Sequence, residues 1–220
     1  MITHHPKHEL IKAFVAGELS TSLTIGVAAH IEMCSQCDEF ADTLTQKIAN
    51  NTFELTIDDN AQALNRDCFI EMMNAITQTD AQAQVTSLKA PCITLNNKPI
   101  SLPRVFNQLP LKSWIKFGDI SRSRLDLNEE PLRSSLLNID AGGAVPMHTH
   151  KGFELTLILD GSFNDDMGIY VAGDFMWLDN QHTHSPATTQ GCLCYTVSDN
   201  AQKFTQGFSQ LLNPIGSFLY

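Results

Sequence analysis

The chain has 220 residues, 43% apolar and 17% charged, which is enough for one large domain or two small ones with a buried core. A formal net charge of −10 excludes an intrinsic nucleic-acid binder, which needs a basic footprint, and suits a basic partner or a small molecule. No apolar run approaches the ~20 residues of a membrane helix, and the start from Met1 to His8 does not read as a signal peptide.

The expectation is therefore a cytoplasmic protein, not membrane-bound, whose six cysteines serve as metal ligands or free thiols rather than as a disulfide framework. The eight histidines fall at 4, 5 and 8, at 30, at 148 and 150, and at 182 and 184, each in or near a candidate ligand cluster.

From Pro6 onward the chain reads helical. Leu10, Ile11, Phe14 and Val15 recur at helical spacing and end at Gly17, a fitting C-cap. Ser20 caps a second helix through Ile25, Val27 and Ala28 towards His30. A third helix, roughly 35 to 50, carries Phe40, Leu44 and Ile48 on one face. A bundle this small needs a staple.

The staple is legible in His30-Ile31-Glu32-Met33-Cys34-Ser35-Gln36-Cys37, a His-x3-Cys-x2-Cys pattern. On one helix, positions i, i+4 and i+7 share a face, so His30, Cys34 and Cys37 would point the same way. Three nitrogen and sulfur ligands make most of a tetrahedral zinc site. The competing reading, a redox Cys-x2-Cys pair, does not require the histidine and lacks a βαβ context. The fourth zinc ligand falls to His4, His5 or His8. His5 is preferred because it lies just before Pro6, on the arm entering the first helix.

Residues 51 to 87 are rich in Asp, Asn, Gln and Thr. Within them Cys68 to Ile76 has the pattern of one amphipathic helix, to be packed on the first domain or presented to a partner. Prolines at 91, 99, 103 and 110 bracket an extended segment where a domain boundary is expected.

Beyond Trp114 the texture changes to short strands: 114–117, 134–139, 155–159, 168–171 and 193–197, separated by Gly, Asp and Asn turns. This reads as a sandwich or barrel. Gly142-x5-His148-x-His150-x3-Glu154-x6-Gly161 resembles the first cupin motif at every defined position. His148 and His150 are two apart on an extended chain and face the same side, with Glu154 a further even step along. Gly173-Asp174 followed by His182-x-His184-Ser185-Pro186 resembles the second motif, which donates one more histidine. Three histidines and a carboxylate then close around a divalent metal, with His182 and His184 both open as the third histidine.

Cys192 and Cys194 share a strand face and read as buried small residues, with redox sensing or a second metal as the rival role. The apolar tail (Phe204, Phe208, Leu211, Leu212, Ile215, Phe218, Leu219) should pack on the barrel as a helix or form a homodimer contact.

Taken together, the His4-His5-Pro6 start, Phe14-Val15-Ala16-Gly17 and Val27-Ala28-Ala29-His30-x3-Cys34-x2-Cys37 resemble the zinc-binding anti-sigma domain of ChrR-type regulators. The resemblance implies His5 as the fourth zinc ligand. His184-Ser185-Pro186 with Gly191-Cys192-Leu193-Cys194 resembles the same family, which implies His184 over His182 as the cupin ligand.

The implied architecture is α+β in two domains. A zinc-stapled helical bundle occupies residues 1–88, a linker 89–104, and an all-β cupin (double-stranded β-helix, jelly-roll) barrel 105–220. The implied function is that of an anti-sigma factor for a group IV extracytoplasmic-function (ECF) sigma factor, releasing it on singlet oxygen or organic peroxide stress sensed by the cupin domain. Its cofactors would be Zn2+ in the first domain and a divalent metal (zinc first, or Fe, Mn or Ni) in the cupin. The rival class is an enzyme, a cupin dioxygenase or isomerase, to which Glu154 would contribute as ligand and proton acceptor.

Overall fold

A computed structural model describes residues 1–53, 66–78, 90–200 and 202–204. The chain divides into two compact units, Met1–Leu44 together with Ala90–Tyr220, and Thr45–Lys89.

The first unit opens with an extended arm and helix α1 (His8–Val15). Ala16 caps it, and Gly17 at φ 72° turns the chain out. The amides of Gly17 and Glu18 return to the carbonyls of Phe14 (3.0 Å) and Ala13 (2.9 Å), satisfying the last turn in a Schellman arrangement. Helix α2 (Thr21–Met33) starts at Ser20, whose hydroxyl accepts from the Leu23 amide, and ends at Cys34 in an extended conformation (φ −125°, ψ 103°). Helix α3 (Ser35–Phe53) follows at once, burying Cys37 and Ala41.

The segment expected to run extended before the barrel holds a hairpin, β1 (Cys92–Leu95) and β2 (Lys98–Ser101), and a 3-10 turn over Arg104–Phe106. The strands that follow are β3 (Ile115–Phe117), β4 (Ile120–Leu125), β5 (Arg133–Ile139), β6 (His148–His150), β7 (Glu154–Asp165), β8 (Gly168–Val171), β9 (Phe175–Leu178), β10 (Thr183–His184), β11 (Cys192–Ser198) and β12 (Gln202–Phe204). Every pairing among them is antiparallel. One sheet runs β3-β4-β5-β11-β7-β8, with β9 also on β7, and a smaller one runs β10-β6-β12. All five strands expected from sequence are present. The apolar tail beyond Phe204 lies outside the described residues.

Strand β11 and the first half of β7 are buried on both faces, and their period-2 alternation sorts the two sides. Leu155 and Leu157 of β7 and Leu193, Tyr195 and Val197 of β11 join Ile25, Val27 and Ala29 of α2 in one core. The alternate residues, Ile158, Cys192 and Cys194, pack inside the barrel with Ile139, Phe163, Tyr170 and Met176.

Helix α2 thus packs on the outer face of the large sheet, and it is fastened along its length. The carboxylate of Glu129 accepts from the amides of Thr21 (2.6 Å) and Ser22 (2.7 Å), capping the positive end of the helix. Burial pushes that carboxyl up, but the hydrogen bonds from Ser22 and Thr21 outweigh it and hold Glu129 below the ordinary glutamate range. Tyr195 donates its hydroxyl to the Ser22 carbonyl at 2.9 Å. Gly26 lets the sheet approach, since a Cβ there would sit 3.2 Å from both methyls of Leu155.

The second unit contains the C-terminal part of α3 and helix α4 (Arg66–Gln78). The apolar side chains of α4, Phe69, Ile70, Met72, Met73 and Ile76, are exposed. Among the described residues no helix is long and apolar enough to cross a membrane.

Candidate metal centres

The structure gathers His5, His30, Cys34 and Cys37 into one group whose ligand atoms all lie within 4.8 Å of one another. The expectation that the last three sit on a single helix does not hold. An unbroken helix would spread positions 30 to 37 over about 10 Å of rise, too far for one small ion. The chain instead breaks at Cys34, so α2 contributes His30, the junction contributes Cys34, and the first turn of α3 contributes Cys37.

Nδ1 of His5 lies 3.4 Å from Nε2 of His30 and 3.4 and 3.5 Å from Sγ of Cys34 and Cys37, and His30 Nε2 is 3.3 Å from Cys37 Sγ. The edges of a tetrahedron with two nitrogen and two sulfur ligands are about 3.3–3.8 Å, so the donor set fits a small ion. His30 donates its Nδ1 proton to the carbonyl of Gly173 at 2.8 Å, which leaves the Nε2 lone pair aimed into the group. Burial pushes the His30 imidazole down to about 4, and burial beside Cys34 pushes the Cys37 thiol up to about 12. The imidazole is therefore neutral and ready to ligate, and the buried thiol ionises only with a cation beside it.

The other two candidates for the fourth ligand are occupied elsewhere. The His4 ring lies against Tyr170, 4.7 Å between centroids, and the His8 ring against Phe40, at 4.5 Å.

The second group is His148, His150, Glu154 and His184, again within 4.8 Å and all buried. Strands β6 and β10 pair so that His184 stands opposite His148, while Glu154 opens β7 in the facing sheet. The three Nε2 atoms converge, 3.1 Å between His184 and His148 and 3.4 Å between His150 and His184. Octahedral and tetrahedral ligand shells with metal–nitrogen bonds of about 2.1 Å have edges of about 3.0 and 3.4 Å.

The tautomers make the strongest test of fit. His148 donates Nδ1–H to the Pro146 carbonyl (2.8 Å) and His184 donates Nδ1–H to the carboxylate of Asp165 (3.1 Å). Both Nε2 lone pairs then face each other across 3.1 Å, an arrangement that is repulsive unless a cation lies between them. Nδ1 of His150 is buried without a hydrogen bond, 3.4 Å from Oε2 of Glu154, whose Oε1 accepts from Thr156. Burial pushes all three imidazoles below their ordinary range, although Glu154 pulls the other way. His182 stays outside the group, its Nδ1 paired with Asp179 at 2.8 Å.

Cys192 and Cys194 are buried on the interior face of β11. The neighbouring Cys192 and burial push the Cys194 thiol up, so it stays protonated. Sequence reasoning missed Asp165, Gly173 as a hydrogen-bond acceptor, and Glu129. None belongs to a ligand pattern, and each acts through backbone or another side chain across a long chain separation.

Residues 106–202 match the model of the ChrR cupin-like domain. Over 218 residues, 97% of each chain, the protein is 28% identical to the anti-sigma-E factor ChrR of Cereibacter sphaeroides. Its fold is similar to that of a chain in the crystal structure of Rhodobacter sphaeroides SigE in complex with the anti-sigma ChrR. There the TM-score is 0.65 and the identity 25%, covering 90% of this chain and 99% of that one. Residues 106–202 are thus similar to the ChrR cupin-like domain, within a chain that is similar to ChrR along nearly its whole length.

Proposed function

We propose that the protein is a zinc-dependent anti-sigma factor. It sequesters a group IV ECF sigma factor in the cytoplasm and releases it on oxidative stress, singlet oxygen or organic peroxide, sensed with the cupin domain. The observation that carries this reading is the similarity to ChrR over 97% of both chains, with a four-ligand group in the helical part and another in the barrel. In this reading residues 1–88 hold the sigma factor, 89–104 connect, and 105–220 sense.

Two nitrogen and two sulfur ligands in a closed shell favour structural zinc at His5, His30, Cys34 and Cys37. Its role is to hold the break between α2 and α3, and with it the start of α3, in shape. The exposed apolar face of α4 supports a protein partner, and the charge of −10 complements a basic, DNA-binding one. At His148, His150, Glu154 and His184 the metal is zinc first, with Fe, Mn or Ni as the rivals that elemental analysis separates. Release requires that the signal bind or modify the free and sigma-bound forms differently.

The role is regulatory rather than enzymatic. That follows from the similarity to an anti-sigma factor over 97% of both chains, not from the ligand set, which a cupin enzyme would share.

The test is purification of the tagged full chain from lysate of its own source cells, with any co-purifying sigma factor identified by mass spectrometry. A stable complex, retained in Glu154→Ala but no longer released by singlet oxygen or organic peroxide, supports the division of labour. Absence of any sigma factor from the purified complex overturns the function, and outright release by Glu154→Ala overturns the assignment of sensing to the barrel.

A further inference from the structure

The N-terminal metal group is not built by the helices alone. Two of its four ligands are positioned by one turn of the barrel, Gly173–Asp174, between β8 and β9. The carboxylate of Asp174 is fully buried. Its Oδ1 accepts from the amides of Thr3 (2.7 Å) and His4 (2.9 Å), and its Oδ2 accepts from the amide of Val171 (2.8 Å). The amide of Phe175 donates to the His4 carbonyl at 3.0 Å, so the arm is held on both sides of the residue that precedes His5.

Gly173 serves the other histidine. Its carbonyl takes the Nδ1 proton of His30, and the Phe175 ring stands edge-on to the same imidazole with centroids 5.8 Å apart. Gly173 has φ +94°, and a Cβ there would collide with Ile2, so the arm lies directly on the turn. The turn is tied to β7 in both directions, Gly173 N to Ile158 O at 2.8 Å and Ile158 N to Asp174 O at 3.1 Å. The β7–β9 ladder then runs from Leu157 opposite Phe175 to Glu154 opposite Leu178.

We propose that Asp174 is a positioning residue for the N-terminal metal. Its buried carboxylate holds the arm that delivers His5 onto the turn whose carbonyl orients His30, so the barrel determines how long the helical site keeps its metal. This rests on the reading that His5, His30, Cys34 and Cys37 bind a metal. Groups that orient metal-bound histidines typically contribute about 10–100-fold in affinity. His30, Cys34 and Cys37 are set by α2 and α3, so loss of the grip on the arm leaves a three-ligand remnant rather than no site.

The experiment follows alkylation of Cys34 and Cys37 in the zinc-loaded full chain by mass spectrometry, in the presence of a competing chelator. Asp174→Ala is expected to speed alkylation of both thiols about 10-fold or more, with Asp174→Asn between it and wild type. His5→Ala is expected to speed alkylation in wild type but to add little in the Asp174→Ala background, because both act through the same ligand. Metal retained at the cupin group reports that the barrel is folded. Thr3→Pro removes one donor from the arm without touching the barrel, and is expected to shift the rate in the same direction.

Wild-type rates in Asp174→Ala and Thr3→Pro would overturn the positioning role alone. Thiols unprotected by metal in wild type would overturn the metal reading beneath it.

Discussion

Asp165 is a side chain whose effect can be isolated. It is fully buried, takes the Nδ1 proton of His184, and also accepts from the amides of Met167 (2.8 Å) and Gly168 (3.2 Å). In asparagine one of the two accepting oxygens becomes an NH2 donor, so the side chain can no longer accept from both His184 and the two amides, and no carboxylate raises the basicity of the imidazole. Asp165→Asn is therefore expected to weaken metal binding at the cupin group by about 10–100-fold, read by competition with a chromophoric chelator. An unchanged affinity would mean that the hydrogen bond to His184 has no bearing on the metal. In the other group, Cys37→Ser removes a buried thiol ligand. Elemental analysis should show the loss of one of about two metal equivalents, with a lowered unfolding midpoint for the unit that α1 and α2 share with the barrel.

At the scale of elements, α2 decides most. It supplies His30 at one end, receives Glu129 at the other, and fills the outer face of the large sheet between them. Gly26→Leu forces a side chain into the space held by Leu155 and Tyr195, where even a Cβ is within 3.4 Å of both residues. The expected cost is about 1–3 kcal/mol in denaturant unfolding, with Gly26→Ala milder because only Leu155 has to give.

The Glu129 cap has a pH signature. Its folded pKa lies below the unfolded value, so its stabilisation is fully present above the ordinary glutamate range and is lost as pH falls through the lowered folded value. Unfolding midpoints of the wild type should therefore drop more steeply on acidification than those of Glu129→Gln. Parallel curves would show that the cap carries no net proton linkage.

At the scale of the molecule, the helices α1 and α2 and the barrel share one compact unit, and the two metal groups are joined through β7 and β9. Stability and metal content should then be linked. Stripping the metal with chelator is expected to lower the unfolding midpoint of the whole unit, and zinc should restore it, because a ligand that binds only the folded state stabilises it by mass action. Separate, unshifted transitions for helices and barrel would count against a single cooperative unit.

Much of this was legible in the residues themselves. His30, Cys34 and Cys37 announced a metal group because nitrogen and sulfur donors recur at short spacing. His148, His150 and Glu154 announced another because even steps on an extended chain share a face. Ser20 and Gly17 marked the helix ends through local backbone chemistry that needs no distant partner.

What only the tertiary structure decided is how these pieces are held. The apolar run of β7 could not say which residues face α2 and which face the metal, since both sides of the strand are buried. The break at Cys34 required the constraint of closing four ligands on one point. Asp174, 170 residues from His4 in sequence, meets it only because the β8–β9 turn folds beneath the arm. Donor types and short spacings are written locally, whereas partners that orient those donors are chosen by the fold, from contacts that no local pattern encodes.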